Sequence, residues 1–110
     1  MTSIRIAKDF SKTPGARYRS DGLYSGQDFR ERHLEPLFED ASDQTPIEID
    51  LDGTEGYATS FLEEAFGGIA EKYGVDRALA RFRFTSKEEP LLPDEIRGYI
   101  RNGDKRGQRR

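Results

Sequence analysis

Apolar and polar residues alternate in three short stretches of the chain, and this period of two predicts three β-strands. Residues 47–51 show the pattern most clearly, with three aliphatic side chains separated by two acidic ones. A strand near residues 4–6 and another over residues 81–85 follow the same pattern. In the third strand the phenylalanines fall on one face and two arginines on the other. We expect residues 47–51 to form the interior strand of a sheet.

A spacing of apolar residues near 3.6 predicts helices between and after these strands. The first begins at Ser25, a residue type that caps helices, and is interrupted at Pro36, which has no amide hydrogen. The second covers residues 60–73, carries a wide apolar stripe and ends at the glycine that follows. The last opens at Pro93, with two acidic residues in its first turn. Residues 11–26 are rich in glycine and polar side chains and predict a long loop.

The order of these elements predicts the fold class. Strands that alternate with helices are typical of an α/β fold, with a mixed or largely parallel sheet and helices packed on it. A chain of 110 residues is enough for one such domain with a modest core. We expect residues 1–102 to form the domain and residues 103–110 to form a basic, flexible tail.

Composition removes several classes of function from consideration. Charged residues make up 35% of the chain but the formal net charge is only -3, so the whole molecule has no strong field to attract nucleic acid or an anionic membrane. The chain has no cysteine and a single histidine, His33, which argues against disulfides, thiolate chemistry and a histidine-based metal cluster. No apolar run approaches the roughly 20 residues of a membrane span. We therefore expect a cytoplasmic protein without a metal or cofactor.

The densest candidate site lies where the second strand leads into the second helix. The unpaired amides and the positive end of the helix dipole make such a start favourable for an anion. Ser60 and Glu63 have the spacing of a capping box, which predicts that the serine hydroxyl caps the helix. A phosphate on Ser60, or secondly on Thr59, would add a charge of about −1.5 to −2 at this helix end. The alternative is that Ser60 is a cap and nothing more.

Several separated blocks of this sequence resemble, in order, the STAS-like domain family, small bacterial proteins related to anti-sigma factor antagonists. The blocks are residues 9–11, 14–17, 25–30 and 49–68, and the resemblance extends over residues 4–73. It implies a STAS-like mixed sheet with helices packed on it. It also implies a non-enzymatic regulatory domain that acts in bacterial signalling by binding another protein.

The resemblance further implies a site and a partner. In the antagonists, an aspartate–leucine strand leads to an aspartate–serine–serine–glycine stretch, where an anti-sigma kinase of the histidine-kinase-like ATPase type phosphorylates a serine. Here the strand aspartate corresponds to Asp50 and the serine pair to Thr59 and Ser60, whereas Ala58 and Phe61 replace the flanking aspartate and glycine. The implied partner is a histidine-kinase-like ATPase or another anti-sigma-type kinase. The predicted partner-binding residues are Asp50, Asp52, Tyr57, Thr59, Ser60 and Glu63.

Two other functions remain open at this point. Arg81 and Arg83 share the exposed face of the predicted third strand, and with the basic tail they favour binding of nucleic acid or of a phosphorylated ligand. The basic residues of the tail are Lys105, Arg106, Arg109 and Arg110. Asp50 and Asp52 lie two residues apart and so on one side of a strand, which suits a Mg²⁺ site or acid–base chemistry, with His33 as the partner of a small hydrolase.

Overall fold

The computed structural model describes residues 2–103 and residue 105. Its sheet consists of β1 (Thr2–Arg5), β2 (Ile47–Asp50) and β3 (Phe82–Thr85) in the order β1-β2-β3. Both strand pairs are parallel, so the described part of the sheet contains no antiparallel pair of the kind that a mixed sheet has. The α/β class is confirmed, and the segment with the clearest alternation is the central strand.

The described residues form four helices and two single-turn segments around this sheet. Two of the helices change hydrogen-bond period along their length, and the other two are regular α-helices. Helix α1 joins Gly26–Phe29, a π-helical stretch Arg30–Leu34 and a 3₁₀ turn Glu35–Leu37, and helix α2 joins Thr59–Leu62, a π-helical stretch Glu63–Gly67 and Gly68–Tyr73. Helix α3 is Val75–Arg81, helix α4 is Leu92–Arg101, and the single turns are Ile6–Phe10 (π) and Arg19–Asp21 (3₁₀). None of these helices combines the length and apolar character of a membrane-crossing segment.

The core lies between one face of the sheet and the helices. The alternation of the strands places apolar side chains on that face, where they are buried with the apolar stripes of the helices. The buried strand residues are Ile4, Ile47, Ile49 and Phe82. The opposite face is polar, and its residues are exposed or half-buried. They are Ser3, Arg5, Glu48, Asp50, Arg83 and Thr85.

The third strand is one residue shorter than the sequence predicts. Arg81 ends α3 instead of beginning β3, because the helix that precedes the strand extends to Arg81. The first strand likewise stops at Arg5, and the following residues form a π turn instead of continuing the alternation. Two predicted helix boundaries are confirmed. The Ser25 side chain caps the start of α1, and Gly74, at a φ of 107°, separates α2 from α3.

The packed part of the chain extends one residue past the predicted domain boundary. Gly103 is buried, and a Cβ there would lie 2.5 Å from the Ala70 Cβ and 2.7 Å from the Gly67 carbonyl oxygen. Only glycine fits this close approach of the chain to α2. Of the basic residues assigned to the tail, Lys105 is exposed, and Arg106, Arg109 and Arg110 lie outside the described residues.

Candidate functional site

The carboxyl ends of the three parallel strands lie at one edge of the sheet, which we call the carboxyl edge. The β2–α2 loop (residues 51–58) lies at its centre. The Glu55 amide donates to the Lys12 carbonyl at 2.8 Å, and the Gly53 amide donates to the Glu88 carboxylate at 2.9 Å. This loop therefore joins the segment that follows β1 to the segment that follows β3. In open parallel α/β sheets, ligands bind at this edge.

The two aspartates of the predicted site hold loops in place. Asp50 accepts a hydrogen bond from the Asp52 amide at 3.0 Å, and its other oxygen is 4.0 Å from Nε of Arg5. Asp52 accepts from the amides of Glu88 at 3.0 Å and Lys87 at 2.9 Å, and these bonds lower the pKa of its carboxyl. No group of three or more histidine and acidic residues suited to a metal ion is found among the described residues. The geometry thus assigns Asp52 a role in fixing the β3–α4 connection.

Tyr57 is also engaged within the chain. Its hydroxyl donates to the Leu51 carbonyl at 2.7 Å, and burial raises the pKa of Tyr57 to about 12. Its ring lies 6.0 Å from that of Phe61, centre to centre. These contacts of Tyr57 stabilise the β2–α2 loop. Its hydroxyl already has a hydrogen-bond partner within the chain.

Thr59 and Ser60 are the first two residues of α2, whereas the predicted capping box places Ser60 before the helix. The helix begins at Thr59, its N-cap is Ala58, and no side chain caps it. The predicted capping box is therefore wrong, because Ser60 lies inside the first turn rather than before it. Thr59 is exposed and Ser60 is half-buried, and no hydrogen bond of either hydroxyl is found in the part of the chain that the structure describes. Both hydroxyls lie at the carboxyl edge with some access to solvent.

Glu63 takes part in an ion-pair network that sequence reasoning missed. Arg17 donates to Glu63 at 2.8 Å and lies 3.8 Å from the buried carboxylate of Glu64. Glu64 is also bonded to Arg30, which in turn binds Glu35 at 2.8 Å. The network connects the long loop before α1, α1 itself and α2. Glu63 thus has a partner in a distant segment of the chain, whereas in a capping box its side chain would accept from a backbone amide at the helix start.

Gly68, inside α2, is the signal in the sequence that indicates this network. A Cβ at Gly68 would lie 2.6 Å from Nη1 of Arg30, so the missing side chain makes room for the guanidinium. Glycine costs about 1 kcal/mol relative to alanine inside a helix, and such a cost implies a close approach of another group. At Gly68 that group is the charged side chain of Arg30 from α1.

Arg81 does not belong to an open basic surface. Its side chain is buried. It donates from Nε to the Thr45 carbonyl at 2.9 Å, and its guanidinium lies 4.7 Å above the Phe38 ring. Burial lowers its pKa. Arg83 is exposed and bonds the Ala80 carbonyl at 2.7 Å. The alternative binding function therefore loses one of its two strand residues.

His33 is packed between aromatic rings. It lies 5.5 Å from Phe29 in a stacked arrangement and 5.7 Å from Phe10 edge-on. It is half-buried on α1. These contacts agree with a packing role, which makes the interpretation as a catalytic partner of Asp50 and Asp52 weaker.

A comparison with models of known protein families identifies the family of this chain. A model of the STAS-like domain of unknown function (DUF4325) matches residues 25–91, more than half of the chain. The curated proteins and the solved structures compared with the chain gave no match. The matched region runs from the capping Ser25 through β2, α2 and β3 to Leu91, and so includes the β2–α2 loop. It starts later and ends later than the resemblance over residues 4–73. The chain belongs to the family of STAS-like domains.

Proposed function

We propose that this chain is a non-enzymatic regulatory domain that binds a protein partner at the carboxyl edge of its sheet. The contact surface comprises the β2–α2 loop and the start of α2. Membership of a STAS-like family supports the proposal, as does the position of this surface at the edge where α/β sheets bind their ligands.

The accessible hydroxyls of Thr59 and Ser60 carry the proposal. Ala58 offers no side-chain acceptor, so the first amides of α2 and its positive dipole end remain available to an added group. A phosphate on Ser60 would be stabilised there by the positive end of the helix dipole, and the half-buried position of Ser60 still leaves it in contact with solvent. Ser25 at the start of α1 has no such access, because it is completely buried.

The surroundings of Ser60 make a phosphate there change the surface strongly. Glu63 and Glu64 follow Ser60 by three and four residues, so the three side chains share one helix face. Arg17 reaches this face from the long loop. A phosphate would add negative charge beside two carboxylates and compete with Glu63 for Arg17. A partner that binds the unmodified edge would therefore meet a different charge pattern.

The partner that the family resemblance favours is a histidine-kinase-like ATPase of the anti-sigma type. Such an enzyme would transfer the γ-phosphoryl group of ATP to Oγ of Ser60, releasing ADP, while the hydroxyl proton passes to a base of the kinase. The domain itself would supply the acceptor and the binding surface.

Affinity capture from the native host, combined with intact-mass measurement, tests this function. We expect an ATPase to be retained and phosphate to map to Ser60 or Thr59. Replacement of both hydroxyls (Thr59→Ala with Ser60→Ala) is expected to remove the phosphate. Ser42→Ala is the matched control, because Ser42 is an exposed serine at the opposite edge of the sheet, before β2. Equal capture and equal phosphate in all variants would contradict the proposal.

A further inference from the structure

The two ends of the carboxyl edge each display apolar side chains to solvent. At the β1 end, the arm (residues 11–24) carries Leu23, which is 80% exposed, together with Tyr18 at 45% and Tyr24 at 44%. At the β3 end, the acidic segment (residues 86–95) carries Leu91, which is 75% exposed. Single exposed leucines are ordinary, but an exposed leucine beside two exposed tyrosines is typical of a binding surface.

The arm holds its apolar residues in place at a conformational cost. Tyr24 has a φ of 56°, in the left-handed region that bulky residues rarely adopt. The Gly15 amide donates to the Tyr24 carbonyl at 2.7 Å, and a Cβ at Gly15 would overlap the Leu23 carbonyl oxygen. Strained residues persist only where the surrounding structure fixes them, and they concentrate at binding sites. The display of Leu23 is therefore a built feature of the arm.

The two ends carry opposite charge. Residues 1–24 contain five lysines and arginines and two aspartates, in a chain whose net charge is -3. The side chains of Lys8 and Lys12 are exposed and have no hydrogen bond or ion pair among the residues that the structure describes. The acidic segment contains four carboxylates and one lysine. The side chains of Glu89 and Glu95 are likewise exposed and unpaired within the described ranges.

We propose that a second copy of the chain also binds this edge, in place of the partner of the proposed function when that partner is absent. Because the sheet order is β1-β2-β3, the basic arm and the acidic segment lie on opposite sides of the β2–α2 loop. A two-fold axis beside this loop sets the arm of each copy against the acidic segment of the other, so Leu23 meets Leu91 and the lysines meet Glu89 and Glu95. Such an arrangement closes as a dimer and satisfies both patches at once. The dimer requires neither a kinase nor a phosphate, and so goes beyond the proposed function.

Sedimentation velocity of the purified chain over a wide concentration range tests the proposal. We expect a monomer–dimer equilibrium whose dissociation constant rises with added salt, since the charges lie at the rim. Leu23→Ser and Leu91→Ser are each expected to raise this constant roughly 10- to 100-fold. Neither variant threatens the fold, because both side chains are largely exposed and serine at the N-cap of α4 is a favourable residue.

Mixing the two variants gives the decisive measurement. In a hybrid of Leu23→Ser and Leu91→Ser chains, one of the two leucine contacts is intact, so the mixture is expected to dimerise more tightly than either variant alone. The charge pair behaves in the same way, with Lys12→Glu and Glu89→Lys weakening the dimer singly and restoring it when mixed. Glu39→Lys, an exposed substitution away from the edge, is the matched control and is expected to have no effect.

Three outcomes would overturn the dimer. They are a wild-type chain that stays monomeric, assembly that continues past the dimer, and a mixture of variants no tighter than its components. Ser60→Ala, which tests the proposed function, is expected to leave dimerisation unchanged. The failure of one proposal is thus distinguishable from the failure of the other.

Discussion

The starts of α1 and α2 lie against each other in the fold but are built in opposite ways. At the start of α1, Ser25 is fully buried and its Oγ accepts from the Asp28 amide at 3.0 Å. At the start of α2, Ala58 has no side-chain acceptor and the next two residues keep their hydroxyls free of bonds within the described chain. The two helix starts are in close contact at Gly26, where a Cβ would overlap the Phe61 carbonyl oxygen.

The comparison shows that a serine near a helix start caps the helix in one place and keeps a free hydroxyl in another. A serine near a helix start is a cap only where the chain reverses at that residue and brings its hydroxyl to an amide two or three residues on. Ser25 meets this condition, and its hydroxyl caps α1. Ser60 lies two residues past the N-cap of its helix, so its hydroxyl remains available to a partner or a modifying enzyme.

The largest expected effect concerns the ion pair that fastens α1 to α2. Arg30→Ala removes the ion pair between this guanidinium and the carboxylate of Glu64, which is 4% exposed. Breaking a buried pair costs about 3–5 kcal/mol, and we expect a loss of that size in the free energy of unfolding measured with urea. Arg30→Lys keeps the charge and is expected to lose less. A loss as small as that of an exposed ion pair would show that the two helix starts are held together by other contacts.

The next effect concerns the first residue of each helix. Gly26→Ala forces a methyl group into the Phe61 carbonyl and is expected to cost about 2–3 kcal/mol of stability. Thr59→Ala, the equivalent change at the exposed start of α2, is expected to alter stability by less than about 0.5 kcal/mol. Thermal unfolding of both variants measures the difference. Similar losses at both positions would remove the distinction between the buried start and the open one.

The two serines give a smaller and more direct contrast. Ser25→Ala removes a capping acceptor and is expected to cost about 1 kcal/mol. Ser60→Ala is expected to change stability by less than about 0.5 kcal/mol, since alanine is favourable inside a helix and no bond is lost. Denaturation with urea compares them. A loss at Ser60 as large as at Ser25 would mean that Ser60 caps α2 after all.

The smallest effect is a pH dependence at His33, which lies on α1 and packs against Phe10 and Phe29. Burial against Phe10 and Phe29, and then the charge of Arg32, lower the pKa of His33 below 6.5, against weaker opposite effects of Asp9 and Asp28. The folded state therefore binds a proton less readily than the unfolded state. The stabilising contribution is complete above pH 6.5 and is lost as pH falls through the lowered pKa of the folded state. His33→Gln is expected to flatten the stability curve in this range, and an unchanged curve would contradict it.

The sequence by itself determined the class of fold and the placement of the main elements. The alternation in residues 47–51 identified the central strand, because one side of a strand must be apolar to cover a core. Ser25 and Gly74 correctly marked the start of α1 and the end of α2, since caps and left-handed glycines act over a few residues. The family also followed from local blocks, although the matched region is residues 25–91 rather than 4–73.

Only the tertiary structure decided which polar residues are occupied and which are free. Arg81 reads as an exposed strand residue, but α3 carries it into a site where the Thr45 carbonyl and the Phe38 ring enclose it. Glu63 has the spacing of a capping box, yet Arg17 reaches it from another part of the chain. Spacing along the sequence fixes which face of an element a side chain occupies. Its partner is set by segments that are distant in sequence and adjacent only after the chain has folded.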